Sequence, residues 1–223
     1  MTQKIIVGAD EASRGLIIGP MVIAGCAITE KIGSFFRELG IKDSKDYRSL
    51  SSLKKHADII EKKALATKVK IISADVLTNF KKNGMSLDEA EAYGFYRVLE
   101  NITKKLKKVD LYQVDNFQAV KSLKSLISKN PKTTNVKLIV LPKADEKFVA
   151  VSAASILARK TAIEELTKIQ KKYGEIGSGS TSDKRTISWL RNYYRKNKSW
   201  PEKIVRTTWK TIDTIEQEEK ETK

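Results

Sequence analysis

Acidic side chains follow three of the strands predicted for this 223-residue chain. Asp10 and Glu11 end the apolar run KIIVGADE, Asp115 ends DLYQVD, and Asp145 opens a predicted helix just after VKLIVLP. Taken singly, each acid fits a turn or a helix N-cap, which aspartate favours. Taken together they indicate one site, because ligands of open α/β sheets gather outside the carboxyl ends of the strands.

Carboxylates brought this close repel one another and therefore call for cations. Hard oxygen ligands without histidine or cysteine select Mg²⁺ or Mn²⁺ rather than zinc. Two such ions about 4 Å apart can bind both the attacking and the leaving oxygen of an in-line phosphoryl displacement. The acids therefore predict a two-metal site for phosphodiester chemistry.

The charge balance indicates a polyanionic partner. Lys and Arg number 43 against 27 Asp and Glu, which gives a net charge of +16. Nucleic acid is the first candidate and an anionic membrane surface the second, although no basic amphipathic helix favours the membrane. A lysine-rich surface of the kind found in thermophiles would also give this charge without a ligand.

The remaining reactive residue types favour structural roles. Cys26, the only cysteine, lies in the apolar run PMVIAGCAI, and His56, the only histidine, lies in a lysine-rich helical stretch. We interpret Cys26 as a buried core residue and His56 as a surface helix residue. No signal peptide or run of about 20 apolar residues is visible, so we expect a cytoplasmic protein.

The apolar pattern predicts strands alternating with helices. Five strands are predicted, of which KIIVGAD and PMVIAGCAI are close enough to form an antiparallel hairpin, with PMVIAGCAI buried on both faces. Helices are predicted over 49–66, 86–108, 117–130 and 145–173, followed by a basic helical tail. We expect a flexible loop over 174–182 and frayed residues over 216–223. This order indicates an α/β fold with a sheet of mixed direction.

Several blocks of the sequence resemble the ribonuclease HII family. They are, in order, GADEASRG with IIGPMVIAG, IKDSKDYRSL, VDN, LPKADEKFVAVSAASILARK, GSGSTSDKRTISWL and IVRTTWKT. The blocks stand in the family's order and span nearly the whole chain, and the short form of the chain looks archaeal.

The resemblance implies a ribonuclease H-like fold: a five-stranded mixed sheet flanked by helices, with a C-terminal helical extension. It implies a catalytic domain over 1–175 and a helical region over 176–223, packed together as one structural unit. We expect a monomer.

The resemblance also implies a metal-dependent endonuclease acting on RNA–DNA hybrids or on DNA that contains ribonucleotides. Cleavage on the 5′ side of a ribonucleotide would leave a 3′-hydroxyl and a 5′-phosphate, in primer removal or ribonucleotide repair. Asp10, Glu11, Asp115 and Asp145 would be the catalytic acids that bind Mg²⁺ or Mn²⁺.

The family motifs also imply contacts with the substrate. A Gly-Arg-Gly tripeptide of the family senses the ribose 2′-hydroxyl, which is how a protein distinguishes RNA from DNA at one position. The Asp-Ser-Lys segment contributes a phosphate contact, and the serines of the long helix hold phosphate or pack the helix. The corresponding residues are Ser13, Arg14, Gly15, Lys45, Lys143, Ser152, Ser155 and Ser180.

Two of these positions depart from the family pattern. Ser13 replaces the first glycine of the tripeptide, at a cost of about 1 kcal/mol if its φ is positive. Ser180, followed by Thr181, replaces a tyrosine that packs on the sugar next to the ribonucleotide. We therefore expect cleavage of continuous hybrid to survive and the preference for an RNA–DNA junction to be weaker.

The tail combines aromatic and basic residues, as nucleic-acid contacts do. Basic residues such as Arg191 and Arg195 are candidate phosphate contacts, whereas Trp189 and Tyr193, at helical spacing, would dock the tail on the core.

Alternative functions remain open at this point. Another nuclease of the ribonuclease H-like superfamily is one, although the type 3 enzymes carry a further N-terminal domain. A non-catalytic binder of RNA–DNA hybrids is the second, and a basic structural protein with acids as helix caps is the third. Only catalysis requires all the acids together with Mg²⁺ or Mn²⁺.

Overall fold

A computed structural model describes residues 3–42, 47 and 49–221 of the chain. Lys45, the predicted phosphate contact, lies outside the described residues. The strands are β1 (Ile6–Ala12), β2 (Met21–Ile28), β3 (Ala66–Ile72), β4 (Leu111–Asp115) and β5 (Lys137–Leu141). The helices are α1 (Glu30–Glu38), α2 (Leu50–Lys63), α3 (Ala74–Lys82), α4 (Leu87–Leu106), α5 (Val120–Ser128), α6 (Ala144–Lys147), α7 (Val149–Tyr173), α8 (Lys184–Asn197) and α9 (Lys210–Glu221).

The strands form one mixed sheet in the order β3-β2-β1-β4-β5. β1 and β2 pair antiparallel, as predicted for a hairpin, and β1–β4 and β4–β5 pair parallel. Every residue of β2 is buried, which confirms the expectation from its unbroken apolar run. The predicted five-stranded mixed sheet is therefore present.

Small residues let helices lie close to the middle of the sheet. A Cβ built on Gly8 of β1 would stand 2.2 Å from the backbone carbon of Ala150 in α7. A Cβ built on Gly25 of β2 would stand 2.5 Å from Val98 in α4. This close approach explains why the first residues of α7 are small and apolar, since larger side chains would not fit between α7 and β1.

The single cysteine lies on this sheet. Cys26 of β2 is fully buried, as the sequence predicted, and pairs in register with Gly8. His56 is half-buried on α2, where its Nδ1 lies 2.9 Å from the carbonyl oxygen of Ser52.

Some helices differ from the prediction. The helix expected over 145–173 is interrupted at Phe148, whose backbone is extended between α6 and α7. Two helices, α1 and α3, were not predicted. Thr29 caps α1 by accepting a hydrogen bond from the amide of Ile32, a short-range contact that apolar periodicity does not report.

The expectation of frayed C-terminal residues over 216–223 is wrong for the part that the structure describes. Helix α9 runs to Glu221, and Glu219 is only 8% exposed. Arg195 donates from Nε to both carboxylate oxygens of Glu219, at 2.7 and 2.9 Å. A charge pair at a buried carboxylate therefore ties the last turn of α9 to α8.

The aromatic residues of the tail pack within the protein. Trp189 donates from Nε1 to the carbonyl oxygen of Tyr173 at 3.0 Å and stacks on Tyr193. Both therefore dock α8, as expected, and the basic neighbours Arg191 and Arg195 pair with Glu218 and Glu219.

Contacts between residues divide the chain into two compact units. The first unit comprises Met1–Ala12, Val22–Lys70 and Asp88–Thr161, and the second comprises Ser13–Met21, Ile71–Leu87 and Ala162–Lys223. This division differs from the predicted boundary after residue 175, which stays a prediction. Within the described residues, no helix is long and apolar enough to cross a membrane.

We predict that Gly8→Ala lowers the free energy of unfolding by about 3 kcal/mol, because the new methyl group overlaps the backbone of α7. Urea unfolding followed by circular dichroism measures the change. Gly15→Ala is the control, since a Cβ there meets no atom within 4 Å. Equal stability of the two variants would contradict the close approach of α7 to β1.

Candidate active site

Asp10 lies near the end of β1 and is buried, with 6% of its surface exposed. Burial raises the pKa of Asp10 well above its ordinary value, and the negative charges of Glu11 and Asp145 raise this pKa further. A hydrogen bond with the side chain of Ser155, on α7, opposes these effects. Asp10 thus meets like charges from the next residue and from a distant segment.

Asp115 ends β4, the strand beside β1. The parallel pairing joins Ala9 to Val114, the residues directly before Asp10 and Asp115, on strands about 4.8 Å apart. Oδ1 of Asp115 accepts hydrogen bonds from the amide of Asn116 at 2.7 Å and from the amide of Ala144 at 3.3 Å. The second bond ties the end of β4 to the residue before Asp145.

Asp145 lies in the short helix α6 and is 5% exposed. Its Oδ1 accepts from the amide of Glu146 at 3.1 Å, and its backbone carbonyl accepts from the Ser152 hydroxyl at 2.6 Å. Lys143, directly before α6, turns the chain with φ +55° and pairs through Nζ with Glu146 at 2.9 Å. The local backbone therefore determines the position of the Asp145 side chain.

The serines of α7 support the acids from one side of the helix. Ser152 and Ser155 stand three residues apart and are 3% and 4% exposed. Ser152 holds the backbone of Asp145, and Ser155 bonds the carboxyl of Asp10. The sequence alone left open whether these hydroxyls hold phosphate or pack the helix, and these partners favour positioning of the acids.

The acids fit a divalent cation by their chemistry, since Asp10 is a buried carboxyl among like charges and every donor is an oxygen. In the part of the chain that the structure describes, however, no group of three or more His, Cys, Asp or Glu residues is arranged to hold a metal ion. Asp115 and Asp145 instead accept from nearby backbone amides. Only Oδ1 of each carboxylate takes part in these amide contacts, and an ionised carboxylate has further acceptor sites that a cation could use.

The predicted ribose-sensing tripeptide belongs to the second unit. Ser13 has φ +63°, the left-handed conformation that favours glycine, so its predicted backbone cost applies. Ser13 and Arg14 are half-buried, and Gly15 is exposed. The tripeptide thus opens a loop, residues 13–19, that reaches the surface at Gly15.

The loop over 174–182, expected to be flexible, is held by many hydrogen bonds. The carbonyl of Gly179 accepts from the amides of Ile17 and Ile18, at 2.8 and 3.1 Å. The amide of Gly179 donates to the buried hydroxyl of Thr186 at 3.0 Å, and that hydroxyl donates to the carbonyl of Ile176. Residues 176–180 therefore share a hydrogen-bonded framework with the loop 13–19.

Ser180 follows this anchored glycine. Its hydroxyl lies 2.8 Å from that of Ser182 and accepts from the Ser182 amide at 3.2 Å. Asp183 fixes the same turn by accepting from the amide of Ser178 at 2.8 Å. The Arg185 side chain and the backbone amides of Ser178 and Arg185 lower the pKa of Asp183, so its carboxylate stays ionised.

The predicted site residues thus fall into two groups. In the first unit, the structure connects Asp10, Glu11, Asp115 and Asp145 with Ser152 and Ser155 through electrostatic contacts and hydrogen bonds. In the second unit, Ser13, Arg14 and Gly15 share a framework with Ser180. Lys143 is exposed beside Asp145, and its predicted substrate contact stays a prediction.

Arg206 was missed in the sequence. Its side chain is fully buried, and it donates to the backbone carbonyls of Ser13, Arg14 and Gly19. The only indication was one arginine in the block IVRTTWKT, which looked like part of a basic tail.

Comparison with known proteins agrees with this architecture. Residues 7–212 match the model of the family described as Ribonuclease HII. A ribonuclease HII of Methanocaldococcus jannaschii is 34% identical, over 98% of each chain. The crystal structure of ribonuclease H2 from Pyrococcus horikoshii OT3 has a TM-score of 0.85 at 34% identity, covering 97% of this chain and 99% of that one.

A more distant structure, Bst-RNase HIII in complex with Mn²⁺, has a TM-score of 0.85 at 21% identity, over 98% of this chain and 71% of that one. It shares the fold. The sheet with its flanking helices is a ribonuclease H-like fold, as the sequence predicted. The chain belongs to the ribonuclease HII family, a family of endoribonucleases.

We predict that Ser13→Gly raises the free energy of unfolding by about 1 kcal/mol, because glycine adopts φ +63° without a Cβ clash. Chemical denaturation measures the change. As the control, Ser125→Gly in the exposed face of α5 should lower stability by roughly 0.5 kcal/mol. A loss of stability in Ser13→Gly would contradict the strain assigned to this position.

Proposed function

We propose that this protein is a metal-dependent endonuclease that hydrolyses the RNA strand of RNA–DNA hybrids on the 5′ side of a ribonucleotide. The products would carry a 3′-hydroxyl and a 5′-phosphate. The observation that carries the proposal is the approach of Asp10, Asp115 and Asp145, from three distant segments, at the carboxyl ends of β1 and β4.

Asp10, Glu11, Asp115 and Asp145 are the residues that would hold Mg²⁺ or Mn²⁺. Ions bound there would supply positive charge that stabilises the phosphate and the attacking and leaving oxygens. The chain's own contribution is placement: Ser155 bonds the Asp10 carboxyl and Ser152 fixes the backbone of Asp145. Asp10 must be ionised to act as a ligand, and a cation bound nearby would lower its pKa because positive charge favours the carboxylate.

Recognition of the substrate would combine charge and sugar contacts. The net charge of +16 attracts the phosphate backbone without regard to sequence. The tripeptide Ser13, Arg14 and Gly15 would contact the ribose 2′-hydroxyl, and Lys45 and Lys143 would contact phosphates. A monomer with these contacts suits primer removal or repair of misinserted ribonucleotides.

We predict that Asp115→Asn lowers the cleavage rate on an RNA–DNA hybrid more than about 100-fold, because it removes one carboxylate from the acid site. Binding of the uncut hybrid should change little, since the basic surface is intact. Cleavage assays with Mg²⁺ and with Mn²⁺, paired with fluorescence anisotropy, measure both quantities.

The control for this variant is Asp58→Asn, which changes an exposed acid on α2 and should leave the cleavage rate as in the original protein. An Asp115→Asn variant that cuts normally would refute the assignment of the site. Hybrid binding by the original protein without any cleavage in either metal would instead support the non-catalytic binder.

We also predict that continuous RNA–DNA hybrid is cut at least as fast as DNA with one inserted ribonucleotide. The reason is that Ser180 supplies no ring to pack on the sugar beside the ribonucleotide, and the Ser13 side chain would crowd the sugar. Initial rates on duplexes of matched sequence measure the preference. A strong preference for the single-ribonucleotide duplex would show that these substitutions do not weaken junction recognition.

A further inference from the structure

The side chain of a buried arginine, Arg206, donates hydrogen bonds to several carbonyls of the loop 13–19. Arg206 Nε donates to the carbonyl of Gly19 at 3.1 Å, and its terminal nitrogens donate to the carbonyls of Arg14 and Ser13, the latter at 2.7 Å. We call Arg206 and these carbonyls the carbonyl clamp. Arg206 lies between 187 and 193 residues away from the other members along the chain, yet all of them belong to the second unit.

The clamp contains a buried guanidinium, and removing this charged group from water costs free energy. Arg206 is fully buried, and among the described residues the only charge that shifts its pKa is that of Arg14, with no carboxylate contributing. Burial, with a smaller effect of the Arg14 charge, lowers the pKa of Arg206 to about 9, so the guanidinium is still cationic at neutral pH. The backbone carbonyls and the face of Trp209, 5.6 Å away, replace the water that this cation loses.

The main chain around Arg206 is bonded to the same loop. Its amide donates to the carbonyl of Ile17 at 3.0 Å, and the amide of Gly19 donates to the carbonyl of Ile204 at 2.8 Å. The backbone bonds already hold residues 17–19. The side chain of Arg206 is therefore needed for the earlier part of the loop, at Ser13 and Arg14.

The clamp determines which way the peptide groups of the tripeptide point. The described chain contains no cis peptide bonds, and in a trans peptide the C=O and the following N–H point in opposite directions. Because the carbonyls of Ser13 and Arg14 point at Arg206, the amides of Arg14 and Gly15 point away from it. Gly15 is exposed, and a Cβ built there meets no atom within 4 Å.

Neighbouring amides that point the same way form a small cradle for an electron-rich oxygen. We propose that Arg206 is a positioning residue for ribose discrimination: by holding the carbonyls of Ser13 and Arg14, it aims the amides of Arg14 and Gly15 at the 2′-oxygen of the substrate. This inference rests on the proposed function, in which this tripeptide contacts the ribose.

The test compares two substrates that differ in one group on one sugar. One is an RNA–DNA hybrid, and the other carries a 2′-fluoro group in place of the 2′-hydroxyl at the cleaved position, since organic fluorine accepts hydrogen bonds poorly. The ratio of kcat/KM on the two substrates measures discrimination. Affinity for an all-DNA duplex of the same sequence measures the phosphate contacts alone.

Arg206→Lys keeps a basic side chain. Its compact ammonium lacks the rigid, planar set of donors of the guanidinium, so it cannot donate to all three carbonyls at once. We expect it to lower the discrimination ratio at least about tenfold, the equivalent of one hydrogen bond to a charged group. Affinity for the DNA duplex should stay within about twofold. Arg206→Met should show the larger effect, and if it does not fold, Arg206→Lys carries the test by itself.

Arg97→Met is the control, because Arg97 pairs with Glu100 on α4 and belongs to the first unit. Its discrimination ratio should equal that of the original protein. A folded Arg206→Lys variant with the original ratio would overturn the role of Arg206 while leaving the proposed function intact. If the original protein cuts neither substrate in Mg²⁺ or Mn²⁺, the proposed function fails and this inference fails with it.

Discussion

The contact between helix α7 and the backbone of β1 is the constraint on which the acid site depends. It exists only because residue 8 has no side chain, since any Cβ there would overlap the backbone at Ala150. With α7 this close, its buried serines reach the acids: Ser155 bonds Asp10, and Ser152 holds the backbone of Asp145. Carboxylates that repel one another are thus held by a packing contact and by hydroxyl groups, and the parallel register of β1 and β4 brings in Asp115.

In the second unit, irregular segments are held in a defined conformation by hydrogen bonds to one another. The loop 13–19 and residues 176–180 and 204–206 have few regular backbone partners of their own, so they bond to one another. Groups buried among them satisfy the remaining carbonyls and amides: the Thr186 hydroxyl serves Gly179 and Ile176, and the Arg206 guanidinium serves Ser13, Arg14 and Gly19. Apolar packing of Ile17, Ile18 and their neighbours encloses these polar contacts and so makes each one harder to lose.

The sequence predicted the features that follow from local pattern. Alternating apolar runs located the strands, their short separation predicted the hairpin, and the strand ends located Asp10 and Asp115. Features that depend on distant partners could not be predicted in this way. The interruption at Phe148 and the turn at Lys143 depend on how α6 meets the sheet, and the partners of Ser155 and Arg206 are segments far away in the chain. The segment 216–223 was expected to be frayed because nearly all of its residues are charged or polar. The burial of Glu219 against Arg195 is a tertiary contact, which this local pattern does not report.

The lone thiol of the chain has a practical meaning for solution work. Cys26 has no exposed surface, and burial raises its pKa far above the ordinary value, so the reactive thiolate hardly forms. The Cys26 thiol of the native fold is consequently shielded from maleimide reagents. A cysteine placed by mutation on the outside of either unit would then be the single labelled position, and a dye or spin label could report on nucleic-acid binding without first removing the natural residue.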